Sequence, residues 1–409
     1  RFNADFEKVA IGQLILNAAK MGLEFNVGDG SSDGFVTLTG MNRGQAARGQ
    51  ARFRLGKDTI ALSDVDVNAG GITAKGFITL SDLIPSTADL EVTGRPGAFI
   101  QRGEVRGYIK LPANAGPESV DVSLRARDLI LRGSNMHSSR IEVVGQGNLS
   151  ALTLNTNLVM TGENPISFQG PLVYRRLSDG HRLEGSGNAV IRGIRAQLLP
   201  STFVERRGDT NRALVAAQLG DGTATLALDP RPLGRGRTGW DAKLNLQNVP
   251  LKSLNSDLQG LITGTANLSN TGAPSLDGGA DVVFSNAGSA SVRADQNNVL
   301  VDGRLIADLQ AREMNIRACA AYGNRGGICD PRNQATQGAL ALLDLTLPMI
   351  NQANPAKLVT DETRNLSGDL KINGEIKPLW DLVDGIDRKL EGNLRANVTL
   401  SGRVRSPTI

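Results

Sequence analysis

Two short glycine motifs in the sequence have the spacing of known cofactor-binding or catalytic motifs. Residues 234–239, Gly-Arg-Gly-Arg-Thr-Gly, match the G-x-G-x-x-G dinucleotide turn, which must follow a strand and open a helix. Residues 30–34, Gly-Ser-Ser-Asp-Gly, match the G-x-S-x-G nucleophile elbow, which also leads into a helix. Alternating, strand-like sequence follows both motifs instead, at 240–246 and 35–39. We therefore predict that residues 234–239 form a loop and that neither motif has a catalytic role.

The other residue types that commonly carry chemistry are few and scattered. The two histidines, His137 and His181, lie in turn-like sequence without the partners of a zinc site or a nucleophile system. Residues 29–34 lack the ligand pattern of a calcium loop. No convincing pair of carboxylates suits acid–base cleavage of a glycoside. The sequence therefore predicts a protein that is not an enzyme, with no catalytic residue, metal or cofactor.

Two cysteines, Cys319 and Cys329, enclose a short glycine-rich stretch. A disulfide between them would contribute roughly 2–3 kcal/mol to stability. Such a bond suits an oxidising compartment. Two unrelated thiols are the alternative interpretation.

Charge is balanced along the chain. Lys and Arg number 45 and Asp and Glu 41, for a net charge of +4, and the two signs are interleaved. No nucleic-acid partner is therefore predicted. Two groups of arginines are interpreted as solvated loops, with binding of anionic head groups as the alternative: Arg206, Arg207 and Arg212, and Arg231, Arg235 and Arg237.

The chain contains no apolar run close to the roughly 18–20 residues that span a bilayer. Its first residue lies inside an ongoing pattern, and its last residues stop within one. We interpret the chain as an internal fragment and expect any anchor or targeting segment to lie outside it.

The dominant pattern is alternation of apolar and polar residues, typical of strands with one apolar face. In residues 366–376 and 390–404 every even-numbered position is apolar or glycine, and every odd-numbered position is polar. Residues 103–111 and 258–268 repeat the pattern. Glycines on the apolar face leave room for sharp curvature or for close approach of another group. From about residue 35 onward we predict β structure almost throughout.

Three segments depart from this pattern. Residues 378–390 predict an amphipathic helix of about three turns, with proline at its first position. A short helix is also predicted at 348–352. Residues 8–21 fit a helix or a strand about equally, because Gly12 weakens the helical spacing.

The apolar strand faces have almost no predicted helices to cover them. Such a sheet must close on a second sheet, curl on itself, or bind a ligand along its apolar side. Small residues dominate this side, which predicts a trough rather than a filled core. The predicted lining residues are Val105, Ile109, Leu111, Leu258, Ile262, Leu268, Leu370, Ile372, Ile376, Leu394, Val398, Leu400 and Val404.

Two stretches carry a resemblance to a known family. Residues 258–274 and 390–407 each run from a leucine and a glycine, through alternating sequence and a later glycine, to a proline. A short Pro-Leu segment precedes each of them, at 250–251 and 378–379. This motif resembles the repeated motif of the TamB family. Residues 35–240 are similar to that family only in their general sequence pattern.

The resemblance implies a fold and a function. By similarity to TamB-like and AsmA-like proteins of Gram-negative bacteria, the chain is expected to be all-β. Its sheet would form an elongated U-shaped trough (a β-taco or repeating β-groove) with one or two short helices. Residues 1–409 would form a single elongated groove fragment, with 313–337 as a cysteine-containing loop insertion.

The implied function is a periplasmic, bridge-like conduit. It would carry phospholipid acyl chains between the inner and outer membranes and support outer-membrane biogenesis and protein assembly. An inner-membrane anchor and contact with the outer-membrane barrel TamA would lie in regions outside this chain. The alternative is a structural or adhesive β-solenoid with a closed, dry interior.

Overall fold

The chain forms two compact units, residues 1–193 (unit 1) and 194–409 (unit 2). The computed structural model describes residues 2–11, 14–28, 31–42, 44–81, 84–112, 120–132, 137–148, 150–161, 165–191, 193–234, 237–255, 258–289, 300–323, 329–332, 339–353, 356–380 and 392–408.

Unit 1 consists of strands connected mostly by short turns. They are β1 (Phe2–Ile11), β2 (Leu14–Gly28), β3 (Ser31–Asn42), β4 (Gln45–Leu55), β5 (Thr59–Ala69), β6 (Ile72–Ser81), β7 (Ile84–Gly94), β8 (Ile100–Leu111), β9 (Val120–Leu131), β10 (His137–Gly147), β11 (Ala151–Thr161), β12 (Ile166–Arg176) and β13 (Gly180–Ile191).

Unit 2 adds two very short helical turns to its strands. The strands are β14 (Ile194–Arg207), β15 (Thr210–Leu219), β16 (Gly222–Gly234), β17 (Arg237–Pro250), β18 (Leu258–Asn270), β19 (Asp277–Ser289), β20 (Val301–Gln310), β21 (Glu313–Tyr322), β22 (Ala339–Ala353), β23 (Ala356–Thr360), β24 (Ser367–Glu375), β25 (Asn393–Arg403) and β26 (Ser406–Thr408). A 3₁₀ turn spans Leu251–Ser253, and α1 spans Lys377–Trp380.

Within each unit the strands pair antiparallel, mostly with their neighbours along the chain. In unit 1 this order runs from β1 to β13. In unit 2 it runs from β14 to β22, after which β22 pairs with both β23 and β24, and β24 pairs with β25. Tight turns permit this arrangement; Gly70 and Gly71, both at positive φ, join β5 to β6. The all-β fold class, an open antiparallel sheet, is confirmed.

Bulges bend several of the strands. Asp64, Asp128, Asn248 and Asn286 all have φ near +50°, a conformation that Asp and Asn tolerate better than other side chains. The strand register shifts beside each of them. A bulge adds a residue to one strand of a pair and increases local bending and twist. The bulges therefore curve the sheets in a way that the alternation alone does not predict.

The structure corrects several local predictions. The helix predicted at 348–352 is wrong, because these residues continue β22. Residues 8–21 belong to β1 and β2 wherever the structure describes them. The loop assigned to 313–337 starts later, since β21 occupies Glu313–Tyr322. Of the helix predicted at 378–390, α1 contains the first three residues, and 381–390 lie outside the described residues.

The two glycine motifs lie in a strand and in a hairpin. Residues 234–239 join β16 to β17, two strands paired with each other. From Ser31 onward the 30–34 motif is part of β3. Neither motif leads into a helix in the described residues. The prediction of a loop at 234–239 agrees with the pairing of β16 and β17, whereas residues 31–34 lie within a strand.

Candidate functional site

One face of unit 2 carries an unbroken apolar row across ten strands. Residues directly opposite each other on neighbouring strands point to the same side of a sheet. From β15 to β25 the register aligns Val215, Leu226, Leu244, Ala266, Ala280, Ala307, Ile316, Leu345, Gly368 and Leu400. No polar side chain interrupts this row.

A second apolar row lies two residues along each strand on the same face. It consists of Ala217, Ala224, Leu246, Gly264, Val282, Leu305, Ala318, Leu343, Leu370 and Val398. We call the side of the sheet that bears these rows the apolar face. It is therefore at least two side chains wide.

Unit 1 has an apolar face of the same kind. From β2 to β10 the register aligns Met21, Leu38, Gly49, Val67, Ala74, Val92, Gly107, Leu124 and Val143. The neighbouring row on the other face is polar throughout: Lys20, Thr39, Arg48, Asn68, Thr73, Thr93, Arg106, Arg125 and Glu142. The alternation in the sequence thus becomes a separation of two chemically different surfaces.

Most of the predicted lining residues belong to strands on the apolar face. Leu370 lies opposite Val398, and Ile262 lies opposite Phe284. Two members lie outside the strands. Ile376 is buried just beyond the end of β24, and Val404 is in the turn after β25. These two positions are less suited to lining a groove than the sequence pattern indicates.

The apolar face is partly accessible to solvent. In unit 2, Leu226 and Leu394 are 47% and 38% exposed, and on the corresponding face of unit 1, Ile109 is 40% exposed. In unit 1 a depression of about 380 Å³ is lined almost entirely by apolar residues, among them Val36, Leu55 and Leu62. A contiguous exposed apolar surface of this kind is typical of a binding surface.

A hairpin covers one edge of the apolar face in unit 2. We call residues 349–360, the end of β22 together with β23, the strap. Met349 and Ala353 in the strap are buried with Leu276 and Leu309, and Trp240 packs against the same cluster. Backbone bonds hold the strap to the strand ends, from Met349 N to Arg312 O (2.7 Å) and from Ala353 N to Pro274 O (2.9 Å). The sequence analysis did not predict this element.

The polar face carries ion pairs between neighbouring strands. Arg304 donates two hydrogen bonds to Asp281, at 2.8 and 2.6 Å. The Arg304 guanidinium lowers the pKa of the Asp281 carboxyl from its usual value, mainly through these bonds. Three of the arginines predicted to lie in solvated loops form ion pairs: Arg207 with Glu205 (2.8 Å), Arg212 with Asp229 (2.9 Å) and Arg231 with Asp241 (3.2 Å).

The disulfide between Cys319 and Cys329 is confirmed. Cys319 lies opposite Arg304 and Leu342, on the polar face. Cys329 and Pro331 are buried there. The disulfide therefore holds a loop on the side of the sheet away from the apolar face.

The described residues contain no group of three or more His, Cys, Asp or Glu placed to bind a metal ion. The ring of His181 stacks on Tyr174 and shares a 2.6 Å hydrogen bond with its hydroxyl. Across the part of the chain that the structure describes, no helix has the length and apolar character to cross a membrane. The apolar face, with its aligned rows and exposed members, is the candidate functional site.

No family model, curated protein or solved structure matches this chain. Its function is accordingly argued from the apolar face itself.

Proposed function

We propose that the chain is a section of a periplasmic conduit. Phospholipid acyl chains would move along its apolar face between the inner and outer membranes, in support of outer-membrane biogenesis. The supporting observation is the unbroken row from Val215 to Leu400, which is apolar across ten strands and retains exposed members such as Leu226. The resemblance of residues 258–274 and 390–407 to the TamB family implies the same function.

The energetics favour an acyl chain as the ligand. Transfer of a 16-carbon chain from water to an apolar surface is worth on the order of 12 kcal/mol, at ~0.8 kcal/mol per CH₂. The rows contain Val, Leu, Ile, Ala, Met and Gly, which hold no polar atom that could bind one lipid position specifically. Such a surface lowers the cost of exposing a chain while leaving it free to slide.

The competing proposal is a structural solenoid with a closed, dry interior. It requires the apolar side chains to be buried against each other. The 47% exposure of Leu226 favours the conduit instead, as does the open antiparallel pairing within each unit.

Photo-crosslinking in cells tests the conduit. A photoreactive residue at Leu370, Ile372, Leu394 or Val398 should capture phospholipid. The matched controls are Lys371, Arg395 and Asn397, neighbours on the same strands that point to the polar face, and they should not. The dry solenoid predicts no lipid adduct at either set, and that result would overturn the proposal.

Ile372→Glu provides a second test. In an open groove, water reaches the new carboxylate, so the protein stays folded while lipid passage is blocked. In a dry core the same change buries an unpaired charge and costs several kcal/mol of stability. Circular dichroism and lipid capture at Val398 measure the two effects. Unfolding of this variant, with no lipid adduct in the parent chain, would support the solenoid.

A further inference from the structure

The strap lies along one rim of the unit 2 sheet. This rim is formed by the turns between β14 and β15, β16 and β17, β18 and β19, and β20 and β21. The strap follows it from Arg312 to Pro274 and ends where Asn270 Nδ2 donates to Ala353 O at 3.4 Å. The backbone bonds of the described strap residues reach the turns before β19 and β21, and Trp240, near the start of β17, packs against the cluster that the strap buries.

A depression of about 390 Å³ lies beside the end of the strap, and we call it the rim pocket. Its apolar lining consists of Leu228, Pro230 and Trp240. Pro230 and Trp240 are opposite each other in the register, two residues beyond the pair of Leu228 and Ala242, so they continue the apolar face. The rim pocket is therefore the place where that face reaches the polar end of the strands.

The polar side of the rim pocket carries one negative charge. Asp209, Asn211 and Thr238 line it, and Asp209 is the one ionisable residue in the lining that the structure describes. The surrounding charges have other contacts: Arg207 pairs with Glu205 at 2.8 Å, and Arg212 pairs with Asp229 at 2.9 Å. No ion pair to Asp209 is found within the described ranges.

A positively charged residue, Arg206, lies opposite one of the lining residues of the pocket. Arg206 is directly opposite Asn211 in the register, so both side chains leave the sheet on the same side. Its Nε donates to Gly208 O at 3.2 Å, which ties the guanidinium to the turn that contains Asp209. The rim pocket is thus lined by a carboxylate and an indole ring, and a guanidinium is bonded to the turn at its edge.

These groups match a zwitterionic lipid head group. A carboxylate and the face of a tryptophan ring are the groups that bind an ammonium ion, by charge and by cation–π attraction. A guanidinium is a preferred partner of a phosphate. We propose that the rim pocket seats the head group of a phospholipid ending in a protonated amine, with the ammonium at Asp209 and Trp240 and the phosphate at Arg206. The acyl chains then lie on the adjoining apolar face, and in this respect the inference rests on the proposed function.

Tryptophan fluorescence can test this inference directly. The chain has two tryptophans, so Trp380→Phe leaves Trp240 as the single reporter. Dihexanoylphosphatidylethanolamine and dihexanoylphosphatidylglycerol, both below their micelle concentrations, are titrated separately. We expect the ethanolamine lipid to bind roughly tenfold more tightly, because only its ammonium can contact both Asp209 and the Trp240 ring. Calorimetry on the unmodified chain should give the same order of affinities.

Two variants complete the test. Asp209→Asn should abolish the preference for the ethanolamine lipid while leaving the affinity for the glycerol lipid unchanged or higher. Asp308→Asn, which removes an exposed carboxylate near the end of β20, is the matched control and should keep the preference. Equal affinities for the two lipids in the parent chain, or an unchanged preference in Asp209→Asn, would overturn the inference.

Further binding experiments distinguish failure of this inference from failure of the conduit proposal. Phosphorylethanolamine, which has no acyl chains, should bind much more weakly than the lipid. Equal binding would overturn the proposal that the acyl chains lie on the apolar face while the head group occupies the rim pocket. If lipid adducts form at Leu370 but the rim pocket shows no head-group preference, the conduit stands and the inference fails. If no lipid binds at either place, both fail.

Discussion

The side-chain amide of Asn351 pairs with both backbone groups of Leu276, 75 residues earlier in the chain. Leu276 N donates to Asn351 Oδ1 at 2.9 Å, and Asn351 Nδ2 donates to Leu276 O at 2.8 Å. The same Nδ2 also donates to Ala311 O at 2.6 Å. One buried amide thereby joins the strap to the turns before β19 and β21. An apolar side chain at this position would leave the backbone groups of those turns without hydrogen-bond partners.

Asn351→Ala should therefore release the strap. Loss of three hydrogen bonds from a buried amide should cost about 2–3 kcal/mol, because the Leu276 and Ala311 backbone groups lose their partners. Hydrogen exchange should accelerate in residues 349–360 and around 276. Gln352→Ala changes the exposed neighbour and is the control, with exchange unchanged. Slow exchange in the Asn351 variant would show that apolar packing alone holds the strap.

Two glycines in one row of unit 1 should respond differently to the same substitution. A Cβ on Gly107 would meet the Ser123 carbonyl oxygen of the next strand, whereas a Cβ on Gly49 would have its nearest contact at 3.4 Å, with the side chain of Val67. Gly107→Ala should cost about 1–3 kcal/mol, because backbone must move. Gly49→Ala should be neutral or stabilise by up to ~1 kcal/mol. Denaturant titration of both variants measures this, and equal effects would contradict the close approach at Gly107.

The pair of Arg304 and Asp281 should make stability depend on pH. The pKa of Asp281 is lowered in the folded protein. Its stabilisation is therefore fully present above the unfolded pKa of about 3.9 and is lost as pH falls through the lower folded value. Arg304→Gln should cost about 1 kcal/mol or less at pH 7. The difference between parent and variant in urea titrations should shrink below about pH 4.

A more exposed pair provides the control for this measurement. Arg52 and Asp64 are 3.1 Å apart, with side chains 73% and 72% exposed. Arg52→Gln should have almost no effect on stability at either pH, since solvent screens such pairs. An equal loss in both variants would indicate that the Arg304 bonds add nothing beyond a surface pair.

Reduction of the disulfide should loosen the polar face locally. Thiol titration of the unfolded chain should detect no free thiol before reduction and two after it, from Cys319 and Cys329. Replacing both with serine should cost roughly 2–3 kcal/mol. Faster hydrogen exchange is expected in residues 329–332, with lipid capture at Leu370 unchanged, because the loop lies on the opposite face. Loss of lipid capture would contradict that separation.

The sequence by itself determined the fold class and the chemistry of the two faces. Alternation is a local property: in a strand, consecutive side chains point to opposite sides whatever the strand pairs with. For this reason Leu370, Ile372 and Val398 could be assigned to the apolar face without knowledge of their neighbours, and the structure agrees. The cysteine pair, ten residues apart, was likewise close enough in the chain to suggest a bond.

Only the tertiary structure decided which parts of that face are covered. Residues 348–352 have the composition of a short helix, but backbone bonds to Arg312 and the Asn351 amide bonds to Leu276 hold them as a strand. The rim pocket brings Asp209 beside Trp240 through the pairing of separate hairpins. Such contacts depend on register and bulges over many strands, and local alternation holds no information about them.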